Sequence, residues 1–260
     1  MSPHDVVIQN LQDLAFIKWG KKHGVLVKIK CEGEKRRGQN LTGTQSTCCP
    51  DSDQFRDISD QHHRIHSHPS GRYGWLNLYG GAALIPAHSP LARRGEGKVL
   101  LHQFYLGHIM RKGEPVLYIH APCGKVRVGH LSVRDTYQLL LDARDEAVRF
   151  FEHQAKMIRR YIDTVGLFRA EHQRGPSPGE LMLYGKIPYD ELCFFEEVSQ
   201  IRPLAEACEL ATPNFSTVYQ VDYGKLGEEQ DRRRTYRFDC EAYAAALNDN
   251  EARAELYQIA

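Results

Sequence analysis

The sequence lacks the features that mark several large classes of protein. No run of about 18 apolar residues occurs, and residues 1–20 have no apolar core typical of a signal peptide. The seven cysteines show no regular paired spacing, which argues against a disulfide framework and a zinc ribbon. We therefore expect an intracellular protein from a reducing compartment, with mostly unpaired thiols and no membrane span.

The chain also lacks an excess of charge of either sign. Its 34 Lys and Arg residues balance 33 Asp and Glu residues, which gives a formal net charge of +1. Nucleic-acid binders are often strongly basic, because neutralisation of phosphates drives their affinity. Any nucleic-acid binding by this chain must therefore come from a local basic patch.

Several catalytic signatures are missing as well. The sequence has no Gly-rich phosphate loop, no nucleophile elbow and no kinase motif set. What it does have is an ordinary globular composition, with 42% hydrophobic and 26% charged residues, so a sizeable core can form. Function must therefore be sought in smaller constellations of residues.

The clearest periodic segment begins at Asp135. Apolar residues recur there at helical spacing, and we predict one long amphipathic helix over about residues 135–163, packed on a sheet and ending near Gly166. Alternating β-formers predict strands at residues 25–31, 73–79, 180–184, 217–223 and 235–239. Because the elements do not alternate regularly, we predict an α+β fold with a mixed or antiparallel sheet.

The organisation along the chain follows from these elements. Residues 1–166 form an N-terminal α+β region and residues 167–260 a C-terminal α+β region, expected as parts of one compact domain. The N-terminal region should contain a hairpin of residues 115–121 and 126–133 that leads into the long helix. Polar composition predicts loops at residues 32–60 and 82–97. Further helices are expected at residues 5–19, 201–210 and 241–260.

The hairpin and helix carry the first resemblance to a known family. The chain resembles His-Me finger (HNH-type) endonucleases over residues 72–145, in Arg72-Tyr73-Gly74, Leu100-Leu101-His102, residues 116–120, residues 130–133 and the helix after them. The resemblance implies a nuclease that hydrolyses nucleic-acid phosphodiesters with Mg²⁺. His120, at a strand end, would be the general base, and Gln138 or Asp142 would bind the metal. The alternative for His120 is a half-buried histidine bonded to backbone.

A second, shorter resemblance lies at residues 180–188. A glutamate that opens a strand ending in Gly and Pro is similar to the C-terminal strand of ADP-ribosyltransferases. The resemblance implies an NAD-dependent enzyme in which Glu180 is catalytic. The alternative is a glutamate at a strand edge that faces solvent.

A histidine pair provides a third hypothesis. His66-x-His68-Pro-Ser resembles the metal-binding strand of JAMM-type metalloproteases. Imidazoles at positions i and i+2 of a strand point the same way and can share a Zn²⁺ ion, so His66 and His68 are candidate metal ligands. The alternative is a solvated loop whose charge responds to pH.

Basic residues crowd the first forty positions, with Phe16 and Trp19 among them. Lys21, Lys22, Arg36 and Arg37 are therefore candidates for a nucleic-acid face, with aromatic rings available to stack on bases. The alternatives are a solvated surface or a face for an acidic protein partner. A non-catalytic interaction or structural protein thus stands beside the two enzymatic hypotheses.

Overall fold

A computed structural model describes residues 2–28, 42–47, 74–79, 82–111, 115–123, 126, 129–210, 215–228 and 233–259. These residues form eight α-helices and six β-strands. The helices are α1 (Pro3–Lys22), α2 (Glu96–Arg111), α3 (Val133–His172), α4 (Pro178–Tyr184), α5 (Tyr189–Ile201), α6 (Leu204–Glu209), α7 (Cys240–Asn248) and α8 (Asn250–Ile259). The strands are β1 (Leu26–Lys28), β2 (Thr42–Thr47), β3 (Gly74–Tyr79), β4 (Pro115–Ala121), β5 (Ser216–Asp222) and β6 (Arg233–Phe238).

The strands form one sheet in the order β1-β6-β5-β4-β2-β3. Strands β3, β2, β4 and β5 run parallel to one another, whereas β6 is antiparallel to both β5 and β1. The sheet is therefore mixed, and the predicted α+β class is confirmed. The connection from β4 to β5 carries helices α3 to α6, as expected for parallel neighbours, which need a long crossover.

The parallel pairing of β4 and β5 places their carboxyl ends side by side. His120 lies opposite Gln220, and Ala121 lies opposite Val221. In open sheets with parallel strands, ligand sites form outside the carboxyl ends of the strands. The register therefore brings the end of β4 to an edge where a site can be built.

Helix α3 is the long helix that the periodicity predicts. The side chain of Ser132 accepts a hydrogen bond from the backbone N–H of Asp135, which caps the N-terminus. One face of α3 is buried, and it includes Tyr137, Leu140, Ala147, Phe151 and Ile158. The helix packs on the sheet as predicted, because this apolar stripe must be removed from water.

The predicted end of this helix at Gly166 is wrong. Helix α3 continues to His172, and Gln173 closes it in the left-handed conformation, at φ 54°. A single glycine inside a helix costs only about 1 kcal/mol relative to alanine, so neighbouring residues carry the helix through it. The boundary between the two predicted regions, at residue 166, therefore lies inside α3.

The core is organised around stacked aromatic rings. Tyr137 of α3 stacks on Phe16 of α1, with ring centroids 3.6 Å apart, and on Phe238 of β6, at 5.2 Å. The ring of Tyr219 of β5 packs against the rings of both Phe16 and Tyr137 in T-shaped geometry. These contacts join α1, α3 and the sheet into one buried cluster.

Two further local predictions fail because tertiary contacts decide the structure. Among the described residues of the predicted hairpin, none pairs with β4: that strand pairs with β2 and β5, and the chain turns at His130 (φ 52°) before it enters α3. The polar loop at residues 32–60 contains strand β2, which pairs between β3 and β4. Strand pairing here joins segments that are far apart in sequence, and local composition does not encode such pairing.

The loop predicted at residues 82–97 is also more ordered than expected. Ala82–Leu84 form a buried 3₁₀ turn, and α2 begins at Glu96. A Cβ atom on Gly97 would lie 2.3 Å from the carbonyl oxygen of Ile85, so glycine allows α2 to approach the turn closely.

Candidate functional site

His120 lies at the carboxyl end of β4 and is only 6% exposed. It lines a small pocket between the sheet edge, α1 and the first turn of α3. Asp13 of α1, Cys123 after β4, and Thr136 and Tyr137 of α3 share this pocket. The strand-end position of His120 agrees with the nuclease hypothesis, but its neighbours differ from those that the hypothesis requires.

Gln138 and Asp142 are not brought to His120. The amide of Gln138 donates a hydrogen bond to the carboxylate of Asp142 at 3.0 Å on the exposed side of α3. The other carboxylate oxygen of Asp142 lies 3.1 Å from Nε2 of His88. Neither Gln138 nor Asp142 lines the His120 pocket. Across the part of the chain that the structure describes, no group of three His, Cys, Asp or Glu side chains can hold a metal ion. The described residues therefore do not fit the Mg²⁺ arrangement that the resemblance implies.

Glu180 lies on a helix, so the predicted strand at residues 180–184 is wrong. Ser177 caps α4 through two reciprocal hydrogen bonds. Its hydroxyl accepts a hydrogen bond from the backbone N–H of Glu180, and the carboxylate of Glu180 accepts one from the backbone N–H of Ser177. Arg174 adds a two-pronged ion pair with the same carboxylate, at 2.9 and 2.5 Å. Ser-Pro-Gly-Glu is a capping-box sequence with proline at the first helical position, a signal that sequence reasoning missed. The strand on which the resemblance to ADP-ribosyltransferases depended is therefore not present.

We expect Glu180 to act as a helix-capping residue. Hydrogen bonds from Arg174 and Ser177 hold the pKa of its carboxyl at about 2, below the ordinary 4.5. Because the folded pKa is lowered, the stabilisation is present above about pH 4.5 and is lost as the pH falls toward 2. NMR titration of the side chain should give this low pKa, and Ser177→Ala should destabilise α4 by about 1 kcal/mol. A Glu180 pKa near 4.5 in the folded protein would contradict this capping role.

Four predicted site residues lie outside the described residues. They are the candidate zinc ligands, His66 and His68, and the candidate nucleic-acid contacts, Arg36 and Arg37. Their roles stay predictions.

Lys21 and Lys22 lie in the last turn of α1 and border a much larger feature. An open groove of about 670 Å³ runs between α1 and the turn after β5. Its wall contains Leu14, Ala15, Ile17, Lys18, Lys21, Lys22, Tyr223 and Glu228. We call these eight residues the basic groove, because three of them are lysines and only one is acidic.

Lys21 is held in place by tyrosines. Its Nζ donates to the hydroxyl of Tyr223 at 2.9 Å and lies 5.4 Å and 5.3 Å from the ring centroids of Tyr223 and Tyr236. Partial burial works against the charged form, but the contacts with the two tyrosines outweigh it and raise the pKa of Lys21. Lys21 therefore keeps its positive charge at neutral pH, with its ammonium group beside the two tyrosines.

The neighbouring cations extend this positive surface. Lys18 is exposed, one helical turn before Lys22 on the same side of α1. Lys22 pairs with Glu255 of α8 at 2.5 Å, which offsets part of its charge. Arg234 of β6 lies 5.7 Å from the ring centroid of Tyr223. Tyr223 thus contacts Lys21 and Arg234 and serves to position cations.

Sequence reasoning found the lysines but missed Tyr223 and Arg234. Tyr223 and Lys21 are separated by 202 positions, and Arg234 follows a charged loop in which acidic residues balance the arginines. Only the pairing of β5 with β6 and the packing of α1 beside them bring these side chains together. No local motif marks this neighbourhood.

The volumes of the basic groove and the His120 pocket determine the size of ligand that each can bind. Sites for small molecules typically enclose about 300 to 1,000 Å³. The basic groove, at about 670 Å³, lies in this range, whereas the His120 pocket, at about 30 Å³, has room for only one or two water-sized molecules. A substrate-sized ligand can therefore occupy the groove and not the pocket.

Comparison with known proteins assigns no family. No protein-family model matches the chain, and no curated protein or solved structure matches it significantly. Among the described helices, none has the length and apolar character needed to span a membrane. The functional conclusion therefore depends on the two sites themselves.

Proposed function

We propose that this protein binds nucleic acid through the basic groove, by contacts with the phosphate backbone. The observation that carries the proposal is the charged side chain of Lys21, which contacts two tyrosines at the wall of an open groove beside Lys18 and Lys22. Cations held in position before binding lose less conformational freedom when they meet phosphates. This supports a binding surface more than an ordinary solvated face of a helix.

The arrangement favours backbone contacts over recognition of bases. Tyr223 is the partly exposed aromatic residue of the groove, and its ring already contacts Lys21 and Arg234. A base could stack on this ring only after displacing a cation. Lysine ammonium groups recognise phosphates as point charges, without sequence information. We therefore expect binding that depends strongly on salt and weakly on sequence.

Salt dependence tests the proposal. With about three cations engaged, the logarithm of the association constant should fall with the logarithm of salt concentration with a slope of about −2 for single strands and nearly −3 for duplexes. Fluorescence anisotropy with labelled oligonucleotides of unrelated sequence measures this slope. Lys18→Gln should make the slope shallower by about 0.7 to 0.9.

Lys156→Gln is the matched control for this experiment. Lys156 is an exposed lysine of α3 outside the groove, and the substitution removes the same charge. We expect it to leave the slope unchanged. Equal effects of the two substitutions would show that binding follows overall charge and not the groove, and an absence of salt-dependent binding would end the proposal.

Hydrolysis of the bound nucleic acid is a separate prediction. It derives from the resemblance of residues 72–145 to His-Me finger nucleases, with His120 as general base. Among the described residues, no group of three His, Cys, Asp or Glu side chains can hold a metal ion. Gln138 and Asp142, the candidate metal ligands, lie outside the His120 pocket. Binding is therefore the function that the geometry supports best.

A further inference from the structure

An apolar stripe continues the basic groove along α1. Leu11 follows Val7 by four positions, Leu14 follows Leu11 by three, and Lys18 follows Leu14 by four. Residues at these intervals are neighbours on one face of a helix, so the three apolar side chains and the lysine form one line. We call Val7, Leu11 and Leu14 the apolar stripe. Leu14 also belongs to the wall of the basic groove, so the stripe and the groove are continuous.

The outer part of the apolar stripe is open to solvent. Val7 is 56% exposed and Leu11 is 62% exposed, and Ile8 beside them is 42% exposed. Burial of apolar side chains against a partner is favourable, because it removes their surface from water. Lys18, at the end of the same line, favours a negatively charged partner. A partner that covers the stripe and reaches Lys18 must therefore combine apolar surface with negative charge.

Single-stranded nucleic acid combines these two properties. Its unpaired bases offer flat faces that can pack on a protein surface, and its phosphates carry negative charge at regular intervals. In a duplex the base faces are stacked on one another, and a protein meets phosphates, sugars and base edges instead. The line from Val7 to Lys18 is about 16 Å long, at about 1.5 Å per helical residue, a length of about five stacked nucleotides.

The shape of the groove also favours a strand. Tyr223 and Glu228, from the turn after β5, line the groove together with the residues of α1. An occupant must be narrow enough to lie between that turn and the helix. A flexible strand can follow α1 from the stripe into this groove, whereas a flat lipid surface cannot enter it.

We propose, on the basis of the function proposed above for the groove, that the protein prefers single-stranded nucleic acid. The bases of the strand lie on the apolar stripe, and its phosphates contact the lysines of the groove. Aliphatic side chains pack on the face of any base and form no hydrogen bonds with base edges. The stripe therefore adds affinity and selectivity for single strands, without selectivity for sequence.

Three ligands of equal length separate the contribution of the bases from that of the phosphates. They are a labelled single strand, the duplex of the same sequence, and a strand of abasic residues, which keeps the phosphates and lacks the bases. Fluorescence anisotropy with the full-length protein at one salt concentration measures each affinity. We expect the single strand to bind roughly tenfold more tightly than the duplex or the abasic strand.

Leu11→Ala tests the stripe directly. Because Leu11 is exposed and alanine is the best helix former, the variant should fold normally, which circular dichroism checks. It should weaken binding of the single strand by roughly threefold to tenfold, because a base then covers less apolar surface. Binding of the abasic strand should change by less than about twofold. Leu167→Ala is the matched control, since Leu167 is a 66% exposed leucine of α3 outside the groove, and it should leave binding of every ligand unchanged.

The failure of this inference differs from the failure of groove binding. Equal affinities for the three ligands, or no effect of Leu11→Ala on the single strand, would overturn the role of the stripe. Groove binding would still stand if Lys18→Gln weakened binding of all three ligands. An absence of salt-dependent binding would end both proposals. Binding to phosphatidylserine vesicles that Leu11→Ala weakens, with no preference for the single strand, would assign the stripe to a lipid surface and also overturn the inference.

Discussion

Tyr137→Ala should lower the free energy of unfolding by about 3 to 5 kcal/mol, the range for truncation of a large buried aromatic residue. Tyr137 is 1% exposed and stacks between Phe16 and Phe238, with Tyr219 at its edge. Removal of the ring leaves a cavity between α1, α3 and the sheet, because these elements contact one another through it. A domain with ordinary stability of about 5 to 15 kcal/mol would lose a large fraction of it.

The tyrosine hydroxyl contributes much less than the ring. Burial raises the pKa of Tyr137 well above its ordinary value, so the hydroxyl stays protonated at physiological pH. Tyr137→Phe keeps both stacking contacts and should cost about 1 kcal/mol or less. Urea denaturation of the three proteins measures the difference, with an unchanged dependence on denaturant as the check that the unfolded states are comparable.

A small effect of Tyr137→Ala would have a clear meaning. A loss below about 1 kcal/mol would show that the surrounding side chains collapse into the space, contrary to the close packing expected of protein interiors. It would also show that the aromatic cluster does not hold α1 against the sheet. Both candidate sites depend on that placement, since α1 supplies Asp13 to the pocket and the lysines to the groove.

The largest expected effect on function comes from reversing charge in the basic groove. Lys18→Glu combined with Lys21→Glu should weaken nucleic-acid binding by roughly 100-fold, because two phosphate contacts are lost and two repulsive charges take their place. A 100-fold loss corresponds to about 2.7 kcal/mol of binding free energy. The salt dependence should also become much shallower, since fewer counterions are released.

Three further variants make this result interpretable. Lys18→Glu alone changes an exposed side chain, so it tests binding even if loss of the contacts between Lys21 and the tyrosines disturbs the fold. Glu228→Gln removes the acidic residue of the groove and should strengthen binding several-fold. Lys156→Glu reverses a charge outside the groove and should have little effect. Binding that survives the double reversal would place the nucleic-acid surface elsewhere on the molecule.

Several elements could be predicted from local sequence because their physics is local. The strands at residues 217–223 and 235–239 alternate in hydrophobicity, and the structure confirms them as β5 and β6. The helix beginning near Asp135 follows from its apolar stripe and its cap. The helix at Pro178–Tyr184 has an equally local signal in Ser177 and Glu180, although its apolar residues taken alone favour a strand.

Other failed predictions involve strand pairing over long distances in the sequence. The apolar run at residues 115–121 does form a strand, but nothing within it specifies that its neighbours are β2 and β5 instead of the segment that follows. In the same way, His120 could be recognised as a strand-end histidine, whereas its pocket partners Asp13 and Cys123 could not. Which side chains meet depends on the closure of long loops. Loop closure costs conformational entropy, and only the packing of the assembled core offsets that cost.

The sequence by itself determined the α+β class, the long capped helix and the basic end of α1. Each of these follows from hydrophobic period, capping residues or charge within about one helix length. Only the tertiary structure decided that Lys21 lies against Tyr223 and Tyr236, that Gln138 and Asp142 lie outside the His120 pocket, and that His120 shares this pocket with Cys123. These neighbours come from segments as much as 202 positions apart, and the packing of the buried aromatic cluster brings them together.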